Sequence, residues 1–196
     1  MKLVFATHNK NKVEEVRAIF PAHISLLTLT DIGCTEDIPE TGKTLQENAI
    51  LKANFVTQNF GYPCFADDTG LLVDSLKGAP GVYSARYAGE QRDADDNMDK
   101  LLKELANKTN RSARFETVIA LNLNNEQHVF TGKVEGEIIQ DKSGEKGFGY
   151  DPIFKPYGYT KTFAELPLEV KNKIGHRGKA MQKLILYLKS LVHATE

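Results

Sequence analysis

Phe65-Ala66-Asp67-Asp68-Thr69-Gly70 runs an apolar, strand-like lead-in, Phe65 and Ala66, directly into two adjacent carboxylates and a glycine. Neighbouring carboxylates repel each other, so a fold keeps such a pair either in water or beside a divalent cation or cationic ligand that offsets the repulsion. Asp-Asp-Thr-Gly also has good turn chemistry, with the glycine available for positive φ. These six residues alone therefore leave a solvated turn and a metal-holding pair equally open. Leu71-Leu72-Val73, immediately downstream, reads as a short strand.

Upstream, Lys2-Leu3-Val4-Phe5-Ala6 suits a buried strand and turns through Thr7-His8-Asn9 into a segment with Val13, Val16, Ile19 and Phe20 at helical spacing, stopped by Pro21. A strand, a short polar loop and a helix N-terminus together make an anion site, to which Lys10 and Lys12 add charge. The same residues also suit a plain N-cap by Thr7 or Asn9 with solvated lysines. Thr44-Leu45-Gln46-Glu47 matches a capping box, and Leu45, Ala49, Ala53 and Val56 continue a helical stripe. Thr41-Gly42-Lys43-Thr44 imitates the end of a phosphate loop, but Asp37 stands where that motif needs its first glycine. Gly147-Phe148-Gly149 likewise lacks the full dinucleotide fingerprint.

Further along, residues 93–106 carry a helical pattern at Met98, Leu101, Leu102 and Leu105. Residues 114–123 alternate at Phe115, Thr117, Ile119 and Leu121, and Asn124-Asn125 supplies a turn into Val129 and Phe130, which predicts an antiparallel pair. The last helix presents Met181, Leu184, Ile185, Leu188 and Leu191 on one face, a core stripe. The fold class read from this order is α/β: a mixed twisted sheet flanked by helices. No repeat or linker interrupts the chain, so residues 1–196 are expected to form one domain of two intimately joined lobes.

Composition narrows the function. With 25 basic and 26 acidic residues and a formal charge of -1, the chain has no surplus for long nucleic acid, although a local basic site for a small anion is compatible. No run approaches the roughly 18 apolar residues that span a bilayer, and no secretory apolar region follows Met1-Lys2, so a cytoplasmic location away from membranes is expected. Cys34 and Cys64 have no metal-ligand spacing and read as reduced, structural residues.

Two further segments carry chemistry. Phe148-Gly149-Tyr150-Asp151 places an aromatic beside a glycine and near a carboxylate, a set that could stack on a base and accept from its ring N–H groups, or equally a turn whose rings face the core. Gly175-His176-Arg177-Gly178 frees the backbone on both sides of an arginine whose planar fork matches carbonyl or phosphate oxygens, with Lys171 shortly upstream.

Taken together, Thr7 to Lys12, Phe65 to Gly70, Phe148 to Asp151 and Gly175 to Gly178 closely resemble, in order and spacing, the inosine triphosphate pyrophosphatase family of nucleotide hydrolases. Glu40-Thr41-Gly42, Glu47-Asn48-Ala49 with Lys52, and Gly78-Ala79-Pro80-Gly81 leading to Ser84-Ala85-Arg86-Tyr87 extend the resemblance over nearly the whole chain. Thr69 stands where many members have serine, which keeps the hydroxyl. Gly175 stands where serine is common, which loosens one base contact.

The resemblance implies a central nucleotide-binding cleft and Mg²⁺-dependent hydrolysis of ITP, dITP and XTP between the α- and β-phosphates, giving the monophosphate and pyrophosphate and cleansing the nucleotide pool. It implies that Glu40 and Asp68 hold the metal, and that Asp68 also orients or deprotonates the attacking water with Asp67 in support. Phosphate contacts fall to the segment Thr7, His8, Asn9, Lys10, Asn11 and Lys12, with Lys52 and Thr69. Base contacts fall to Phe148, Gly149, Tyr150, Asp151, Lys171, His176 and Arg177. A 6-keto oxygen suits the donors of Arg177 and its neighbours, whereas the 6-amino group of adenine leaves them unpaired, so ATP is expected to be rejected. The family implies a homodimer. A non-catalytic nucleotide sensor and a pyrophosphatase of other base specificity are the alternatives.

Overall fold

The first strand, β1 (Lys2–Phe5), has Leu3, Val4 and Phe5 fully buried because it lies inside the sheet with a parallel neighbour on each side. Val4 is in register with Leu27 of β2 (Ser25–Thr28) and with Cys64 of β3 (Cys64–Val73). The computed structural model describes residues 1–193. These form two compact units, one made of residues 1–68, 117–132 and those from 177 onward, the other of residues 69–116 and 133–176.

In the first unit, α1 (Lys10–Arg17) begins after Asn9, whose side chain accepts the Lys12 backbone N–H. The helix stops earlier than its apolar spacing predicts. Ala18 is the cap, and Ile19 and Phe20 fall in the following turn, since the residue before Pro21 is disfavoured in helical conformation. α2 (Leu45–Phe60) starts where the capping box places it, with Thr44 Oγ1 accepting from Glu47 N–H. The Glu47 carboxylate reaches one residue beyond the expected return partner and accepts from Lys43 N–H at 2.6 Å.

The core of this unit joins Leu3, Phe5 and Phe65 of β1 and β3 with Val16 of α1 and with Ile119 and Leu121 of β4 (Ser112–Leu123). Met181, Leu184 and Leu188 of α5 (His176–His193) complete it, as the stripe on the last helix predicts. The Phe5 and Phe65 rings stack at 4.6 Å, and Phe20 lies 5.8 Å beyond Phe65. Cys34 and Cys64 are free thiols buried in the fold, and burial pushes the Cys64 thiol far up.

The second unit packs α3 (Ala94–Glu104) through Met98 and Leu101, together with Leu105, against Leu71 and Val73 of β3. Phe115, Phe154 and Phe163 fill the same core, Phe115 meeting Phe154 edge-on at 4.7 Å. β6 (Phe154–Pro156) and α4 (Leu168–Ile174) also belong to this unit.

Across the sheet the strand order is β2-β1-β3-β4-β5-β6, with β5 spanning Glu126–Ile138. Asn124 and Asn125 both take positive φ, 54° and 62°, the signature of a two-residue hairpin turn joining β4 to β5. β5 and β6 are antiparallel, with Ile138 opposite Phe154. Parallel and antiparallel pairs coexist, so the sheet is mixed as expected.

One expectation changes. Leu71–Val73 is not a separate strand but the end of β3, and Asp67-Asp68-Thr69-Gly70 is its middle rather than a turn. Aspartate is a poor strand former, so tertiary contacts must outweigh propensity here.

Replacing Phe65 by alanine removes a fully buried ring from a stacked set and should cost roughly 3–5 kcal/mol, with Phe65→Leu costing less. Urea unfolding checks this, and a loss below about 1 kcal/mol for the alanine variant would show that the stacked rings are not a stabilising element.

Candidate functional site

Because side chains alternate along a strand, Phe65 and Asp67 share one face of β3 while Ala66 and Asp68 share the other. The Phe65 face packs on α1 and α5, which dictates what Asp67 meets. Lys12 Nζ donates to Asp67 Oδ1 at 2.9 Å, and Arg177 Nε donates to Asp67 Oδ2 at 3.1 Å. Arg177 Nη1 in turn donates to Glu15, which sits one helical turn beyond Lys12 on α1. Glu15, Asp67 and Arg177 are all buried. Burial alone would raise the Asp67 carboxyl, but Lys12, Arg177 and Lys52 outweigh it and hold the group well below the usual carboxylate range. Burial likewise depresses the Lys12 ammonium, with Asp67 opposing the shift.

The opposite face presents Asp68 to α2. Asn48 Nδ2 donates to Asp68 Oδ2 at 3.0 Å, and Asn48 Oδ1 accepts from Gly42 N–H at 2.8 Å. Lys52, one turn after Asn48, donates to Glu40 Oε1 at 2.5 Å and to the Asp67 carbonyl at 2.7 Å, and its Nζ lies 4.0 Å from Asp68 Oδ1. Burial raises the Asp68 carboxyl, only partly offset by Lys52 and Lys12. Glu40 shifts the other way, because Lys52 overcomes the effect of burial. Two adjacent acids are thus given different protonation behaviour by their two faces.

Glu40 and Asp68 already converge on one cation, the Lys52 ammonium. Two hard oxygen donors suit Mg²⁺, which binds through one or two carboxylates plus substrate phosphates and retained waters rather than a full protein cage. No cluster of three or more metal-ligating side chains occurs among the described residues. The residues present fit the ion.

In the N-terminal segment, Thr7 Oγ1 accepts from Asn9 N–H, and His8 Nε2 bonds the Glu36 carbonyl at 3.0 Å. Lys10 and Asn11 are exposed. Thr69 is half-buried in the second unit.

That second unit assembles most of the expected base residues. Lys171 Nζ donates to Asp151 Oδ2 at 2.5 Å, the same oxygen that accepts the Phe148 backbone N–H at 2.9 Å. The ammonium lies 4.8 Å over the Phe148 ring and 5.8 Å from that of Phe163. Asp151 and Lys171 are buried, whereas Phe148 is half-buried. Gly149 takes a left-handed φ of 63° and turns the chain toward Tyr150. The Tyr150 ring lies in the core and its hydroxyl donates to the Ser84 carbonyl at 2.8 Å, so this side chain braces the turn. His176 stacks on Phe115 at 4.6 Å. Arg177 belongs to the first unit, with Nε and Nη1 on Asp67 and Glu15.

Two participants had no role on sequence alone. Asn48 ties Gly42 to Asp68, and Glu15 balances Arg177. Their signal was helical spacing: Asn48 precedes Lys52 by four residues and Glu15 follows Lys12 by three.

A family model described as the Ham1 family matches residues 3–187. The chain belongs to the Ham1 family. A relative named dITP/XTP pyrophosphatase from Flavobacterium johnsoniae is 65% identical over 94% of this chain and 96% of that protein. One of the same name from Bacillus subtilis is 48% identical over 92% of this chain and 93% of its own. Among solved structures, the Staphylococcus aureus Ham1 protein matches with a TM-score of 0.89 at 41% identity, covering 97% of this chain and 99% of that one. For this Ham1 family member, the α/β fold with a six-stranded mixed sheet agrees with that likeness.

Asp67→Asn keeps shape but leaves a part-buried Lys12 and a buried Arg177 beside a neutral amide. Breaking one partner of such a network should cost roughly 3–5 kcal/mol, whereas Asp68→Asn, which removes a carboxylate that burial already disfavours, should cost less. Denaturant midpoints of the two variants check the contrast, and equal losses would contradict the two-faced arrangement.

Proposed function

We propose that this chain hydrolyses non-canonical purine nucleoside triphosphates, ITP, dITP and XTP, to the monophosphate and pyrophosphate in a Mg²⁺-dependent reaction. The observation that carries the reading is the convergence of Glu40, Asp68 and Lys52, together with a part-buried Lys12, which gathers hard donors and cations in one unit. The relatives named dITP/XTP pyrophosphatase support the substrate class.

Glu40 and Asp68 would hold the metal. An ion held by these two carboxylates would supply positive charge against the developing charge of the pyrophosphate leaving group. Lys12 and Lys52 supply further positive charge, and Thr7, His8, Asn9, Lys10, Asn11 and Thr69 are assigned to phosphate oxygens through hydroxyl, amide and backbone donors. Asp68 orients or deprotonates the attacking water. Asn48 fixes its orientation from Oδ2. Asp67 keeps Lys12 in place from behind.

Base recognition is assigned to Phe148, Gly149, Asp151, Lys171 and His176, with Tyr150 bracing, whereas Arg177, in the first unit, is engaged by Asp67 and Glu15 and is not assigned to the base. The Phe148 ring offers a stacking face, and the Lys171 ammonium offers a donor to a purine carbonyl. A 6-amino group cannot accept that donor, which would disfavour ATP. The two units are taken to act as one functional domain of a cytoplasmic homodimer, in keeping with the absence of a membrane-length apolar helix among the described residues.

Incubation with Mg²⁺ and ITP, XTP, GTP or ATP, followed by phosphate assay with and without inorganic pyrophosphatase, tests the reading. Signal from ITP and XTP that requires the auxiliary enzyme is the expected result; none with any nucleotide would favour a sensor. Asp68→Asn should retain nucleotide binding while kcat falls by about 10²-fold or more. Near-normal kcat in a metal-saturated assay would remove Asp68 from the chemistry.

A further inference from the structure

The chain that leads into α2 doubles back along the helix. Three contacts follow in step: Lys43 N–H donates to the Glu47 carboxylate at 2.6 Å, Gly42 N–H donates to Asn48 Oδ1 at 2.8 Å, and Glu40 Oε1 accepts from Lys52 at 2.5 Å. The approach is tightest at Gly42, where an added Cβ would fall 2.6 Å from Glu47 Cβ, 2.7 Å from Asn48 Oδ1 and 3.0 Å from the Asn48 backbone nitrogen. A Cβ and a backbone nitrogen cannot swing aside, so a side chain here must lift the segment off the helix. Gly42 does not have a left-handed φ, so beside Asn48 the glycine is needed for space and not for backbone conformation.

The same contact decides how Asn48 meets Asp68. A backbone N–H can only donate, so it claims the amide oxygen, and the Asn48 nitrogen is left to donate to Asp68 Oδ2 at 3.0 Å. With Oδ2 held, Asp68 Oδ1 lies 4.0 Å from Lys52 Nζ, the ammonium that also bonds Glu40. One buried side chain therefore links the segment carrying Glu40 to the strand carrying Asp68.

We propose that Gly42 and Asn48 are a positioning pair for the two metal-holding carboxylates: the missing side chain lets the Glu40 segment close on α2, and the Asn48 amide, fixed by Gly42, sets Asp68 against it before a divalent cation binds. This deepens the assignment of Glu40 and Asp68 to the ion and rests on it. Neither Gly42 nor Asn48 touches the ion in this scheme. Both act through the carboxylates they place.

The probe is Mn²⁺, titrated into nucleotide-free protein with the free ion followed by electron paramagnetic resonance. A folding defect lowers the number of sites, whereas misplaced ligands raise Kd. Gly42→Ala and Asn48→Ala are each expected to raise Kd by about tenfold or more, with Glu40→Gln as the reference for loss of a ligand. Unchanged Kd in either of the first two while Glu40→Gln raises it would overturn the positioning role alone. Unchanged Kd in Glu40→Gln would overturn the metal assignment beneath it, and no binding by wild type would overturn the claim that the carboxylates are set in advance. Wild type also gives a measurement that needs no variant: by NMR, the Gly42 amide should exchange slowly with solvent in ion-free protein, and exchange at the rate of an open loop would overturn the proposal.

Discussion

The first unit depends on a constraint of strand geometry. Asp67 and Asp68 are adjacent in sequence, and two ionised carboxylates on one surface would repel strongly, but a strand sends consecutive side chains to opposite faces. The repulsion is divided between two environments. α1 and α5 must then supply cations to one face, while α2 supplies an amide and an ammonium to the other. The register of α2 follows, because Asn48 and Lys52 have to lie on the same helical stripe that faces β3.

This division also sets the chemistry. On its own face Asp67 meets two cations and remains ionised, so it acts as a fixed anchor for Lys12 and Arg177. Asp68 meets an uncharged amide and a more distant ammonium, and burial dominates, so its proton affinity rises.

Much of this was legible in the residues. Asn9 and Thr44 cap helices because their side-chain oxygens lie two or three residues ahead of free N–H groups, a rule that needs no tertiary information. The paired asparagines at 124 and 125 announced a hairpin for the same local reason. The path of β3 through Asp67-Asp68-Thr69-Gly70 was not legible, since local preference favours a turn and only the charges of Lys12, Lys52 and Arg177, far away in sequence, make a buried strand tolerable. Ile19 and Phe20 fit the helical period but not the backbone restriction before Pro21. Glu15 carried no reading in the sequence, because nothing nearby in the chain names Arg177 as its partner.

Stability alone does not account for the buried ions. Removing four charged groups from water is expensive, and well-packed apolar replacements for such networks are often neutral or stabilising. Glu15, Arg177, Asp67 and Lys12, in order of contact, alternate in sign, so each offsets its neighbour's desolvation without leaving the unit better off than a hydrocarbon core would. What the network does supply, and a hydrocarbon core could not, is an ammonium held in a fixed position on Asp67, and that ammonium also lowers the proton affinity of Asp68 and Glu40. Lys12 is only partly buried at its side chain, 14% exposed, whereas Asp67 behind it is 1% exposed. The charge is anchored from the interior and presented outward, the arrangement needed by a group that must meet an anion without reorganising.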